Sequence, residues 1–381
     1  MQFAFTEEQL AVQKTARDFA TAEVLPKAAE IDREHRHPRE LVARMAELGF
    51  MGIAIPEEYG GASLDTVSYA LVLEEVSRAC ASTGVIMSVN NSLVCDPINK
   101  FGTDDQKRRW LTPLAQGKLL GCFALSEPEA GSDTHGMACE ARRDGDGYVL
   151  NGTKTLISNG GLADFYVVFA KVDRANAKSV TAFVVDAHAA GFEFVRPLVM
   201  AAPHPLGEIA FRECRLEESA RIGKEGEGLR LALTTLDRLR ATVGAAACGM
   251  AARALHEAVE HARTRRQFGK PLADQPLIQE KIARMAIRLR ASRLLVYEAA
   301  WEKDQGAERV TLESGMAKAF ATENAQLVVD DAIQILGGRG VLKESRVDLL
   351  YRSVRALRIY EGTTEIQHLL VAGQILKPAQ S

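Results

Sequence analysis

Phe165-Tyr166-Val167-Val168-Phe169 and Val180-Thr181-Ala182-Phe183-Val184-Val185 are short runs rich in Val, Phe and Thr. Runs of β-branched and aromatic residues of this length read as strands. Asp144-Gly145-Asp146-Gly147, set between polar and apolar stretches, is a hairpin signal just upstream. The same texture extends from about 118 to 222 and predicts a small antiparallel β domain.

Outward in both directions the period turns helical. Upstream, Thr6 to Gln9 matches a capping box, and Leu10, Val12, Ala16 and Phe19 follow at helical spacing. Pro38 stands where a first-turn proline would open the next helix, Gly49 where it would stop, and Asp65 and Thr103 where later ones would be capped. Downstream, long periodic stretches near 228 to 263, 274 to 304, 308 to 336 and 364 to 376 predict a bundle of four helices. Helices, strands, helices in segregated blocks is an α+β order, not a βαβ alternation. The expected domains are an N-terminal helical domain over 1–117, a middle β domain over 118–222 and a C-terminal four-helix bundle over 223–381.

With 381 residues, 47% hydrophobic and 25% charged, the chain can bury a full core. Its net charge of −3 gives no general pull toward nucleic acid or an anionic membrane, so neither is expected as a partner. Cys80, Cys95, Cys122, Cys139, Cys214 and Cys248 show no CxxC or Cys/His spacing and read as small buried hydrophobes in a reducing compartment; no metal is expected. The start, Met1-Gln2-Phe3-Ala4-Phe5, has no signal pattern, and no apolar run reaches the ~18 residues of a membrane span, so the expected location is cytoplasmic.

GxGxxG after a strand, GxxxxGK[ST] and HExxH are all missing, against nicotinamide-binding, P-loop and zincin readings. Five Gly-, hydroxyl- or charge-rich segments remain at the joins between blocks. Phe123-Ala124-Leu125-Ser126-Glu127-Pro128-Glu129-Ala130-Gly131-Ser132-Asp133 reads alone as a polar surface turn, and Lys154-Thr155-Leu156-Ile157-Ser158-Asn159-Gly160-Gly161 as a strand ending in a turn. Arg263-Thr264-Arg265-Arg266-Gln267-Phe268-Gly269 could grip a pyrophosphate through guanidinium forks or be a solvated helix end. Gln334-Ile335-Leu336-Gly337-Gly338 is a helix stop whose glycines would let a flat ligand approach. In Arg358-Ile359-Tyr360-Glu361-Gly362-Thr363, Glu361 lies just before a helix that a Thr364 to Gln367 capping box would open. It could serve there as a plain dipole-stabilised carboxylate.

In order and spacing across the whole chain, these segments resemble the acyl-CoA dehydrogenase family. The short-chain (butyryl-CoA) branch is the most similar. The resemblance rests on Gly84 to Leu93, Phe123 to Asp133, Leu236-Asp237, Arg265 with Phe268-Gly269, Gln334 to Gly338 and Ile359 to Thr363. It implies the three-domain fold above, a homotetramer built as a dimer of dimers, and FAD between β domain and bundle. It implies that Phe123, Ala124, Leu125, Ser126, Leu156, Ile157 and Ser158 meet the flavin ring or ribityl chain. Arg265, Gln267, Gln334, Ile335, Leu336, Gly337 and Gly338 would meet the pyrophosphate and adenosine of FAD held mainly by a neighbouring subunit. Ser132, Thr363, Thr364 and Glu365 count among the cofactor contacts, and Ser132, Asp237, Arg240 and Gly362 line the acyl-CoA path.

Glu361 falls on the family's base. By the resemblance it removes the proton α to the thioester carbonyl, which a ribityl hydroxyl and the base's own N–H polarise. Hydride passes from the β-carbon to flavin N5, a trans-2-enoyl-CoA results, and electron-transfer flavoprotein takes the electrons. Some members carry the base just before the arginine that Arg240 matches; here that position is Leu239, which excludes the rival.

Three departures stand out. Leu156 replaces a tryptophan beside the flavin. Pro276 replaces a glutamine, with Gln275 one residue away. Met200-Ala201-Ala202-Pro203-His204-Pro205-Leu206-Gly207 replaces a Gly/Arg/Ser-rich stretch, His204 being read as a surface-loop residue. Competing readings are a flavin oxidase or monooxygenase admitting oxygen near Leu156, and a non-catalytic helical binding protein.

Overall fold

The computed structural model describes residues 4–307 and 309–377, with backbone alone at Leu239. The sequence features at Met1 to Phe3 and the Leu239 side chain therefore lie outside the described residues, as do the ends of the first and last expected domains. Helices come first: α1 (Glu7–Phe19), α2 (Ala28–Glu34), α3 (Arg39–Glu47), α4 (Thr66–Ala79), α5 (Ala81–Ser88), α6 (Asp96–Phe101), α7 (Asp104–Gln106) and α8 (Thr112–Ala115). The expected caps form: Thr6 and Gln9 exchange both bonds of a capping box, as do Thr103 and Gln106, and Asp65 accepts from the Ser68 N–H. Gly49, at φ 76°, follows the end of α3. Pro38 sits one place earlier than expected, as the residue before the first turn.

The strands of the middle block are β1 (Gly121–Ala124), β2 (Glu140–Asp144), β3 (Gly147–Ser158), β4 (Phe165–Lys171), β5 (Val180–Asp186), β6 (Phe192–Pro197), β7 (Leu206–Glu217) and β8 (Arg221–Ile222). One sheet holds them in the order β6-β7-β3-β2-β4-β5-β8, with β1 beside β4. Pairing is antiparallel except along β4, where β1 and one bridge of β2 run parallel. The Gly145-Asp146 turn joins β2 to β3, with Asp144 opposite Gly147. Strands β4 and β5 are buried on both faces, which is why their sequences run apolar without alternation.

Among the described residues five α-helices follow: α9 (Gly228–Thr264), α10 (Pro276–Asp304), α11 (Thr311–Leu336), α12 (Arg346–Leu357) and α13 (Thr364–Ile375). Four were expected. The additional one, α12, buries Val347, Leu350, Val354 and Leu357 at helical spacing.

Two cores divide the molecule. One joins α1 to α5 with the bundle; the other lies against the sheet and takes in Ile98, Trp110, Leu111 and Leu114 from the N-terminal helices. The N-terminal domain reaches α9 closely at Gly249, where a Cβ would fall 2.2 Å from the Glu74 carbonyl. Buried Glu74 then accepts from Arg293 Nε at 2.9 Å and from the Tyr297 hydroxyl at 2.7 Å, locking α4 to α10. All six cysteines are free and buried. Among the described residues no helix is long and apolar enough to cross a membrane, and no His/Cys/Asp/Glu group could hold a metal ion.

Candidate active site

Glu361 sits between α12 and α13 in a turn the chain makes with left-handed backbone, φ 54° at Glu361 and 90° at Gly362. At Gly362 a side chain is excluded as well, since a Cβ would lie 2.5 Å from Gln367 Nε2. Two buried groups, Lys318 and Gln367, and the half-buried Glu323 hold the turn. Lys318 of α11, fully buried, donates to the Gly362 carbonyl at 2.6 Å. Gln367 of α13 donates to the Glu361 and Gly362 carbonyls at 3.2 and 3.1 Å. Glu323 of α11 accepts from Arg358 Nε at 2.7 Å and from the Thr364 hydroxyl at 2.6 Å.

The cap of α13 is Thr363, whose hydroxyl accepts from the Ile366 N–H, not the expected Thr364. Thr364 is committed to Glu323 and Gln367 to the turn, so neither can complete a box. Glu365 is exposed on the first turn.

The Glu361 carboxyl does not behave as a dipole-stabilised cap. Its Oε2 is buried without a hydrogen-bond partner, and burial pushes its pKa up to about 7 against the opposing charges of Lys318 and Arg240. The same burial holds Lys318 down, to about 8, although the Glu361 charge opposes it. Arg240 is buried too: it bonds Asp237 at 2.8 Å, Asp237 accepts the Thr311 hydroxyl at 2.6 Å, and Arg240 Nε is left without a partner. A carboxyl with an unpartnered buried oxygen and a raised pKa is equipped to take a proton near neutrality.

At the sheet, the Phe123 and Leu156 segments come together. The Thr155 N–H bonds the Ser126 carbonyl at 3.0 Å, and Cys122 Sγ bonds the Ser158 carbonyl at 3.0 Å. Beneath them Lys154, fully buried, reaches Glu127 at 2.8 Å and the Leu125 carbonyl at 3.0 Å; Glu127 also accepts the Ala138 and Cys139 N–H groups. Between Lys154 and Ile157 the register with β7 slips, so Thr155 and Leu156 together face Glu208. In this bulge Leu156 takes φ 58° and stands 61% exposed, an apolar side chain turned outward by a strained backbone. Phe123, Leu125, Ser126 and Ser158 are half-buried, while the Ala124 and Ile157 side chains point into the core and could offer a ligand only backbone. Ser132 is exposed on the following turn.

His204 is not a free surface residue. Its Nε2 bonds the Ser158 hydroxyl at 2.8 Å and its ring meets Tyr360, the neighbour of Glu361, edge-on at 6.0 Å. The sheet segment and the base turn are thus joined through one side chain.

Arg265, Gln267, Phe268 and Gln334 are exposed at the far end of the bundle. There the end of α9 and the turn after α11 border a cleft of about 450 Å³ lined in part by His261, Thr264, Leu336 and Arg339. Gly337 and Gly338 face open space, whereas the Ile335 side chain is buried in the bundle. Pro276 opens α10 at its first position, and Gln275 Nε2 beside it is buried without a partner, a free amide for a ligand. From Arg240 to Thr264 α9 runs about 36 Å, so this end is remote from Glu361 within one chain.

The roles of Lys318, Gln367, Glu323, Lys154 and His204 were not legible beforehand. Lys154, Gln367 and His204 lay in stretches read for other reasons, while Lys318 left a signal only as a lone cation among the small and apolar residues of Gly315-Met316-Ala317-Lys318-Ala319-Phe320.

Comparison with known proteins agrees with this architecture. The acyl-CoA dehydrogenase N-terminal, middle and C-terminal domains match residues 6–118, 122–214 and 226–376. The mitochondrial short-chain specific acyl-CoA dehydrogenase of Mus musculus is 44% identical over 97% of this chain and 90% of its own. A 3-(aryl)acrylate reductase of Clostridium sporogenes is 42% identical over 98% and 100%. A chain from the structure reported for the electron transferring flavoprotein of Acidaminococcus fermentans superposes with a TM-score of 0.97 at 38% identity, over 99% of this chain and 100% of that one. With all three domains matched in order, the chain belongs to the acyl-CoA dehydrogenase family, whose members are FAD-dependent.

Proposed function

We propose that this chain converts an acyl-CoA thioester to the trans-2-enoyl-CoA, with Glu361 as the α-proton base. The observation that carries the reading is half-buried Glu361, whose Oε2 is buried without a partner and whose pKa burial raises to about 7 against the charges of Lys318 and Arg240. The residues present suit FAD. An outward apolar side chain at Leu156, half-buried Ser126 and Ser158, and the orphan Gln275 amide are the kinds of group a flat, hydrogen-bonding cofactor engages. FAD, when bound, supplies the acceptor for the β-hydride. The chain's own part is to desolvate Glu361, hold its turn through Lys318 and Gln367, and present the Glu361 N–H to the thioester carbonyl. Arg240, Asp237, Ser132 and Gly362 are assigned to the acyl-CoA path, and Thr363 and Glu365 to the cofactor side of the turn.

The likeness to a short-chain specific enzyme favours a short acyl group, and the aryl acrylate reductase likeness places ring-bearing thioesters in the same panel. We assign electron-transfer flavoprotein as acceptor, a choice supported by the match to the Acidaminococcus fermentans structure. We also propose a homotetramer. The far-end residues Arg265, Gln267 and Gln334 to Gly338 complement the Glu361 site only across a subunit boundary. The exposed series Ile287, Leu294 and Trp301, at i, i+7 and i+14 on α10, is an apolar stripe suited to one. Free buried thiols suit a reducing location, and we retain the cytoplasm.

The exposure of Leu156 favours oxygen access as a second reading. Both are tested by mixing the yellow protein anaerobically with straight, branched and aromatic acyl-CoA thioesters and following flavin bleaching, then admitting air. Glu361→Gln should keep colour and ligand binding while bleaching slows by at least ~100-fold. Normal reduction in that variant refutes the assignment of the base, and rapid reoxidation with peroxide by the wild type favours the oxidase.

A further inference from the structure

The 200–205 loop is tied down on several sides. The Pro205 carbonyl accepts the Asn159 N–H at 2.8 Å, and the Ala201 carbonyl accepts from Arg352 at 2.8 Å, itself paired with buried Asp32 at 2.7 Å. Between these anchors, flanked by Pro203 and Pro205, His204 bonds the Ser158 hydroxyl and packs its ring edge against Tyr360. The two prolines restrict the backbone that carries the ring. Burial pushes the His204 pKa down to about 4, so at neutral pH the ring is uncharged and Nε2 is either a donor or an acceptor. A serine hydroxyl has one proton. If Ser158 donates that proton to His204, it can only accept from anything else it faces; if it accepts from His204, its proton stays free to be aimed at another acceptor.

We propose that His204 is a positioning residue that fixes the Ser158 hydroxyl toward the bound FAD and braces Tyr360 beside the catalytic base. The proposal rests on the reading of the Leu156 to Ser158 segment as a flavin contact. Without the imidazole the hydroxyl would turn freely, and the flavin would be reduced at a different potential because its hydrogen-bond environment had changed. A merely structural histidine would lower thermal stability and leave the flavin unaltered.

The test is a double-mutant cycle on the FAD-loaded protein, read without substrate as the visible spectrum of the flavin and its midpoint potential by anaerobic dye titration. Ser158→Ala should shift both, His204→Phe should shift them in the same direction, and the double variant should go no further than Ser158→Ala. His204→Gln, which keeps a hydrogen-bonding group on a side chain of similar reach, should return toward the wild type. His204→Phe retains a ring against Tyr360, so its result separates the hydrogen bond from packing; should it lose flavin, His204→Ala carries the same comparison. A His204 variant with unaltered spectrum and potential, or shifts that add in the double variant, overturns the proposal. If Ser158→Ala changes nothing while acyl-CoA still bleaches the wild type, this proposal falls and the Glu361 reading stands. A colourless wild type refutes both.

Discussion

Glu361 is costly to keep. Its left-handed backbone is strained for a residue with a side chain, and raising its carboxyl from 4.5 to about 7 corresponds to roughly 3 kcal/mol of unfavourable ionisation. The sign is that of a raised carboxyl: the folded chain favours the protonated form, so stability from this group is present below pH 4.5 and is lost as pH rises through about 7. A base works only when deprotonated, so kcat/KM of the FAD-loaded enzyme should fall on the acid side of about pH 7. Lys318 pulls that value down, and Lys318→Met should move the acid limb to higher pH. The pH profile of kcat/KM for the two proteins checks this; an unmoved limb would leave Lys318 only its bond to the Gly362 carbonyl. The position of Glu361 was legible from its motif. Its environment was not, because Lys318 and Arg240 arrive from two other helices.

Among the elements, β3 carries the most unusual chemistry. Its bulge throws Leu156 outward, while Lys154 on the same strand turns inward to Glu127 with almost no exposure on either side. Removing one partner of such a pair leaves an uncompensated buried charge, which costs about 3–5 kcal/mol. Lys154→Met should therefore unfold at clearly lower temperature and hold less FAD, and Lys154→Met with Glu127→Gln should recover part of the loss. Calorimetry and flavin content measure both effects; equal melting of the single and double variants would show that the charge is not what matters. Strand β3 was legible as a strand ending in a turn, but a bulge depends on the partner strand, which no local pattern contains. The cap of α13 slipped by one residue for a related reason: Thr363 and Thr364 both satisfy the local preference, and Glu323 on α11 claims the second. Helix α12 is not legible in the sequence because Arg346, Asp348, Arg352 and Arg355 break up a single narrow apolar stripe, and its Ser345 N-cap makes no side-chain capping bond.

For the whole molecule, about 36 Å separates Arg240 from the end of α9, and in the proposed tetramer a neighbouring subunit would complete the site. Oligomerisation and cofactor retention should then fail together. Ile287→Lys with Leu294→Lys, placed in the exposed stripe of α10, should lower the mass seen by size-exclusion chromatography with light scattering and bleach the purified protein. A monomer that stayed fully yellow would refute the shared site.

The sequence by itself determined the block order, because strand and helix periodicities are local, and it located Glu361, the glycine-rich turns and the family's motifs, because those are contiguous. Tertiary structure decided which of these act together. Burial gave Glu361 its proton affinity, Lys318 and Gln367 set its turn, and a register slip exposed Leu156. His204, read as a surface-loop residue, became the link between Ser158 and Tyr360. Each depends on groups far apart in the chain, and desolvation and charge are properties of the space those groups enclose, not of the order in which they are joined.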